Sequence, residues 1–181
     1  MRFEKTEIPG VFVLELERHE DDRGFFARTW CVKELEDHGL NPRLVQVNVG
    51  FSHRAGTLRG VHYQTEPAAE VKIARCTRGA LFDIALDLSP GSPTFKNWVG
   101  VELSAANGRQ LYIPEGCAHG YQTLEDDTEL CYLTSEIYAP DCAGGVRYDD
   151  PAFGIEWPIE VTRISDGDRS WPLFDEGSRS K

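Results

Sequence analysis

The sequence predicts an all-β fold, a sandwich or double-sheet barrel with minor helices. Three observations carry that expectation. Short apolar runs recur along most of the chain, each bounded by Gly, Pro, Asn or Asp turn residues. Leu81–Leu88 alternates cleanly, with Phe82, Ile84, Leu86 and Leu88 on one face and Asp83, Ala85 and Asp87 on the other. Only Trp30–Leu40 carries a helical pattern, with Val32 and Leu35 apolar and Gly39 placed to stop it.

The elements follow in order. Ile8–Glu17 reads as a first strand, with Phe12, Leu14 and Leu16 on one face and Val11, Val13 and Glu15 on the other. Asp22-Arg23-Gly24 is a turn signal. Arg23 beside Phe25 and Phe26 suits a phosphate or ring contact; equally, this is a surface turn with one aromatic plugging the barrel. Strands are then expected at Leu44–Phe51, Leu58–Gln64, Glu70–Thr77, Leu81–Leu88, Trp98–Leu103, Arg109–Ile113, Gly120–Leu124 and Glu129–Tyr138. Turn clusters separate them at Ser89–Pro93, Ala106-Asn107-Gly108 and Pro114-Glu115-Gly116. From Asp149-Asp150-Pro151 a looser C-terminal region is expected to pack on the barrel, with Ser178–Lys181 frayed. The 181 residues fit one domain with a sizeable core, and no repeat divides them.

Composition narrows the function. With 19 basic against 30 acidic residues the net charge is −11, a surface that repels nucleic acid and anionic membranes. An anionic ligand would need a local cluster of cations to reverse that field. Five cysteines, none in a Cys-x-x-Cys pair, read as reduced thiols of a cytoplasmic protein. The charged start Met1–Glu7 does not read as a signal peptide, and no run reaches the ~20 apolar residues of a membrane span.

The chemistry concentrates in Gly56-Thr57-Leu58-Arg59-Gly60-Val61-His62-Tyr63-Gln64, where a cation, an imidazole, a phenol and an amide share one short strand. His53, His62 and His119 fall in the β region. A His-x-His pair would place two imidazoles on one face, but here the strand reads His62-Tyr63-Gln64. His62, His119 and a carboxylate could still form an iron-type triad. The alternative is acid–base chemistry without metal. An unperturbed imidazole, with a pKa of roughly 6.5, suits a general base, and a carboxylate partner would fix its tautomer. Lys72 could steady an oxyanion and Tyr132 could deliver a proton. Tyr132 and Tyr138 have equal parity and share a cavity if the strand stays regular between them. Strict alternation puts Arg59 and His62 on opposite faces, so one site can use both only if the strand kinks, with Gly60 the candidate. Taken singly, each residue is as well explained as a core cap or a solvated strand side chain; the constellation favours a site.

A family resemblance spans about Pro9 to Pro172. Asp22-Arg23-Gly24-Phe25-Phe26, Leu58–Gln64, Gly91-Ser92-Pro93-Thr94-Phe95, Trp98-Val99-Gly100-Val101, Pro114–Gly120, Asp149-Asp150-Pro151 and Gly154-Ile155-Glu156-Trp157-Pro158 occur in the order in which the chain resembles the dTDP-4-dehydrorhamnose 3,5-epimerases. The resemblance implies a cupin-type jelly roll without metal or other cofactor, usually a homodimer, acting on a nucleotide-diphosphate 4-keto-6-deoxyhexose in deoxysugar biosynthesis. It implies His62 as base, Asp168 as its carboxylate partner, Tyr132 as the opposing acid and Lys72 as the group that steadies an enolate. Arg23, Gln46, Asn48, Arg59 and His119 match positions that contact phosphate, sugar or base, Tyr138 matches an aromatic that stacks on the pyrimidine, and Phe26 joins the substrate-binding set. Arg28 stands where the family has Glu, Ala143 where a Glu often contacts the nucleotide, and Gly167 where a Lys precedes the Asp. The loop from Asn48 to Arg59 is one residue longer. These departures bear on recognition rather than on the base and acid, and raise the alternative of another nucleotide (GDP or CDP) or another 4-keto sugar. Small shifts in where Tyr132 sits would leave inversion of one carbon only, C3 or C5; more remote is a non-catalytic sugar-binding protein or a metal cupin.

Overall fold

The computed structural model describes residues 1–175; the fraying expected at Ser178–Lys181 lies outside the described residues. The elements in chain order are β1 (Arg2–Lys5), β2 (Phe12–Glu15), β3 (His19–Asp21), β4 (Gly24–Phe26), α1 (Val32–Asp37), β5 (Gln46–Ser52), β6 (Leu58–Gln64), β7 (Lys72–Arg78), β8 (Ala80–Asp87), β9 (Trp98–Ser104), β10 (Gln110–Ile113), β11 (Cys117–Thr123), β12 (Thr128–Thr134), β13 (Ala143–Gly145) and α2 (Asp166–Arg169). They build a six-stranded sheet in the order β1-β2-β10-β7-β12-β5, a five-stranded sheet in the order β13-β6-β11-β8-β9, and the separate hairpin β3-β4. The pairings within both large sheets are antiparallel.

Three apolar clusters explain why so many strands are hydrophobic on both faces. The first draws Ala74, Leu111 and Leu130 from the six-stranded sheet and Leu81, Ala85, Leu103 and Tyr121 from the five-stranded one, so the sheets pack face to face. The second covers the outer face of the six-stranded sheet: Leu35 of α1, Leu40 and Trp30 pack on Leu14, Ile73 and Tyr112. The third covers the outer face of the five-stranded sheet, where Phe153, Ile155, Trp157 and Phe174 of the C-terminal region lie on Val61, Ile84 and Leu86. Each fully buried Leu or Ile contributes roughly 1.5–3 kcal/mol. The double-sheet jelly-roll expectation agrees with this arrangement.

The differences from the expected elements have local causes. The first strand is shorter, because Gly10 turns the chain at φ +82°, and the charged segment before it forms β1 after all, paired to β2. Phe25 and Phe26 do not plug the barrel; they are 53 % and 71 % exposed on the β3-β4 hairpin. Strand β12 ends at Thr134, whose hydroxyl donates to Glu136 O at 2.9 Å, so Tyr138 sits on a loop rather than in strand register with Tyr132.

The kink required between Arg59 and His62 is present. Arg59 pairs with Tyr121 and His62 with His119, so β6 uses one more residue than β11 over this stretch. Gly60 has φ +128°, and a Cβ there would stand 2.5 Å from Gly120 Cα. Only glycine meets both demands. Gly60→Ala is therefore expected to destabilise the fold by at least ~2 kcal/mol, read as a lowered thermal midpoint, and to uncouple Arg59 from His62; an unchanged midpoint would contradict the bulge.

Candidate active site

Between the two sheets lies a cleft with two lobes of about 610 and 540 Å³, within the range of small-molecule sites. His62, Lys72 and Tyr132 line both lobes and so mark where they meet. His62 projects from the five-stranded sheet, Tyr132 and Lys72 from the six-stranded one. Cross-strand register sets the second group. Asn48, Tyr132 and Ala74 lie abreast on β5, β12 and β7, and Gln46, Thr134 and Lys72 form the next row. Residues two apart share a face, so these rows open onto one side of the sheet.

The imidazole is oriented from the C-terminal region. His62 Nε2 donates to Asp168 Oδ1 at 2.6 Å. Asp168 sits in α2, whose N-cap Ser165 accepts from the Asp168 N–H at 3.0 Å. Burial works against the charge of Asp168, but the hydrogen bonds from His62, the Gly60 N–H and Ser165 outweigh it and hold the carboxyl below its ordinary range. An ionised Asp168 fixes the His62 proton on Nε2 and leaves the Nδ1 lone pair as a proton acceptor. With its side chain 46 % exposed, the ring is accessible from the cleft.

Across the cleft the Tyr132 hydroxyl has no hydrogen-bond partner among the described residues. Burial raises its pKa, Glu70 adds to the effect and Arg59 opposes it, so the phenol keeps its proton through neutral pH. Lys72 Nζ meets Glu70 Oε1 at 2.6 Å in a nearly buried pair, which leaves ammonium donors for an oxyanion. In the first lobe, Arg59 donates to Phe51 O at 3.0 Å and Ser52 Oγ at 3.3 Å. His119, paired with His62 across β6 and β11, lines the same lobe and donates through Nε2 to Asp83 Oδ1 at 2.7 Å. Asp83 is fully buried, its other oxygen has no partner, and burial pushes its carboxyl up against the pull of His119. Among the described residues no group of three or more His, Cys, Asp or Glu is placed to hold a metal ion.

The second lobe is lined by Gln46, Asn48 and Tyr138, with Ala143 in its wall. The Tyr138 N–H donates to Gln46 Oε1 at 2.8 Å and the Ala139 N–H to Gln64 Oε1 at 2.6 Å, so two amides hold the Tyr138 loop.

Of the sequence-expected site residues, nine therefore line the cleft: His62, Lys72, Tyr132, Asp168, Arg59, His119, Gln46, Asn48 and Tyr138. Arg23 and Phe26 do not. Arg23 pairs with Asp21 at 2.5 Å on the exposed hairpin, and Phe26 is exposed beside it. Arg28, a departure from the family pattern, pairs with Glu34 at 2.7 Å outside the cleft. Sequence reasoning missed Asp83, Glu70, Tyr121 and Arg163. Asp83 fell within a strand alternation that gave no sign of its partner on β11.

The sequence profile of the dTDP-4-dehydrorhamnose 3,5-epimerase family matches residues 5–176. The chain belongs to that family. It is an isomerase, and its reaction is epimerisation at C3 and C5 of a dTDP-linked 4-dehydro-6-deoxyhexose. A dTDP-4-dehydrorhamnose 3,5-epimerase of Shigella flexneri is 44% identical over 171 residues, 94% of each chain. The crystal structure of a dTDP-4-dehydrorhamnose 3,5-epimerase from Bacillus anthracis, with TDP and PPi bound, superposes with a TM-score of 0.91 at 41% identity, covering 96% of this chain and 99% of that one. A dTDP-4-dehydrorhamnose 3-epimerase of Streptomyces niveus is 37% identical over 177 residues, 97% of this chain and 85% of that one.

If Asp168 sets the His62 tautomer, Asp168→Asn keeps the fold but lowers kcat by about 10²–10⁴-fold. The sign of the pH effect follows from the lowered carboxyl: the stability that Asp168 contributes is present above the ordinary Asp value of about 3.9 and lost as pH falls through its lower folded value. Acid unfolding curves of wild type and Asp168→Asn should therefore converge only at low pH; parallel curves down to pH 2 would contradict the assignment.

Proposed function

We propose that this epimerase works by proton transfer through an enolate, with His62 as the base and Tyr132 as the acid. The observation that carries the reading is their placement: they project from opposite sheets into one cleft, with Lys72 beside Tyr132. A ketone at C4 acidifies the hydrogens at C3 and C5. His62 Nδ1 removes one, the C–H electrons move into the carbonyl, and the developing oxyanion is met by Lys72. Tyr132 then returns a proton to the opposite face of that carbon and inverts it. Asp168 stabilises the imidazolium formed in the first step. Solvent then takes the proton from the His62 imidazolium and returns one to the Tyr132 phenolate before the second carbon reacts, so the cycle draws on no cofactor.

The first lobe, with Arg59 and His119, takes the diphosphate in this reading, and the second, under Tyr138, takes the base. A dTDP-linked substrate fits the names of the relatives, and Ala143 leaves the base end without the carboxylate that the family often has there. The whole chain acts as one domain, in the cytoplasm, where its five free thiols stay reduced. No helix of the described residues is long and apolar enough to cross a membrane.

A homodimer accounts for Arg23 and Phe26. Both lie on an exposed hairpin, outside the cleft of their own chain, and Val49 at the edge of the first lobe is 62 % exposed. In a dimer the hairpin of one copy closes the cleft of the other. Sedimentation should then give a dimer, and Phe26→Asp should raise KM; a fully active monomer would contradict this.

The test of the roles is a split in kinetics. In deuterated water His62→Ala should lose solvent exchange at both carbons, whereas Tyr132→Phe should retain exchange and fail to invert. Equal loss of exchange in both variants would sink the assignment. Because the Tyr132 pKa is raised, the alkaline limb of the wild-type rate should lie above the usual phenol value of about 10, and a limb near pH 8 would exclude Tyr132 as its source.

A further inference from the structure

We propose that Arg163 is a second diphosphate-binding guanidinium, acting with Arg59 on one wall of the cleft. The inference rests on the reading that the Arg59 end of the cleft takes the diphosphate.

Position is the first argument. Arg163 lines the same lobe as Arg59 and His119. Its backbone is fixed there: the Leu58 N–H donates to Arg163 O at 2.8 Å, and Arg163 forms an isolated parallel bridge with Thr57. The start of β6 thus carries Arg59 on its own strand and holds Arg163 from the C-terminal region beside it.

Charge is the second argument. The protein has 30 acidic residues against 19 basic ones, and its surface arginines are mostly neutralised. Arg2, Arg23, Arg28, Arg43, Arg54 and Arg147 each hold a carboxylate. Arg59 and Arg163 hold none among the described residues; nor do Arg18, Arg75 and Arg169, but only Arg59 and Arg163 of these line the lobe. Arg163 donates from Nη1 to Thr162 O at 2.7 Å, and its remaining donors are uncommitted. Two guanidiniums kept from carboxylates on one wall of a cleft, in so acidic a chain, form the local reversal of field that a diphosphate requires.

Gly167 supplies the position at which a compensating cation can be tested. It lies in α2, directly before Asp168, and so close to the same lobe. A Cβ built there meets only Ser165 Oγ at 3.7 Å, an ordinary contact, so the site tolerates a side chain and lacks one.

The test uses the full chain, with calorimetric titration of dTDP and of thymidine into wild type, Arg163→Ala and the double variant Arg163→Ala/Gly167→Lys. The dTDP dissociation constant should rise about ten- to a hundredfold in Arg163→Ala while thymidine binding is unchanged, and the Lys in the double variant should restore most of the loss. With substrate, KM should rise and kcat hold. An unchanged dTDP constant, or equal weakening of dTDP and thymidine, would overturn the proposal; the second result would mean that Arg163 only shapes the wall. Wild-type protein that binds no dTDP would bring down the functional reading itself, and this inference with it.

Discussion

The hydrogen bond from His62 to Asp168 ties together the two halves on which the site depends. One partner comes from β6 in the middle of the barrel, the other from a one-turn helix more than a hundred residues later. The C-terminal region reaches that position because Phe153, Ile155, Trp157 and Phe174 bury against the outer face of the five-stranded sheet. Apolar burial places the helix, the Ser165 cap orients its third residue, and the carboxylate then selects one tautomer of the imidazole. Disturbing any of these changes the base without touching it.

The same economy appears around the bulge at Gly60. A regular strand would direct Arg59 away from the cleft that His62 faces. One extra residue against β11 turns both toward it, and the Gly60 N–H, 3.4 Å from Asp168 Oδ2, adds a contact to the carboxylate that holds His62. The backbone irregularity thus serves charge placement as well as strand curvature. Opposite it, β12 keeps a regular register with β5 and β7 from Leu130 to Thr134, and that register brings Asn48, Tyr132, Gln46 and Lys72 onto one face.

Much of this was legible in the residues. Strands β6, β8 and β9 follow from alternation and glycine punctuation, and the kink at Gly60 was required as soon as Arg59 and His62 were assigned to one site. What escaped has physical reasons. Strand β1, Arg2-Phe3-Glu4-Lys5, has one apolar residue and pairs at a sheet edge, so its pattern is that of a solvated segment. Asp83 looked like the polar member of a half-buried strand, yet both faces of β8 are covered and its carboxyl is paired with His119. That pairing depends on the β8-β11 register, which no local pattern encodes. Phe25 and Phe26 were ambiguous for a related reason: an aromatic pair after a tight turn has the same sequence whether it plugs its own barrel or faces outward.

Proton traffic between an imidazole on one sheet and a phenol on the other is the centre of the proposed reaction. Its most direct measurement is nuclear magnetic resonance of the product formed from dTDP-4-keto-6-deoxyglucose in deuterated water. One deuteron at C3 and one at C5, each on an inverted carbon, is the predicted result. Inverted product that retains its original hydrogens would show that no solvent-exchangeable base and acid carry the reaction, and would contradict the account.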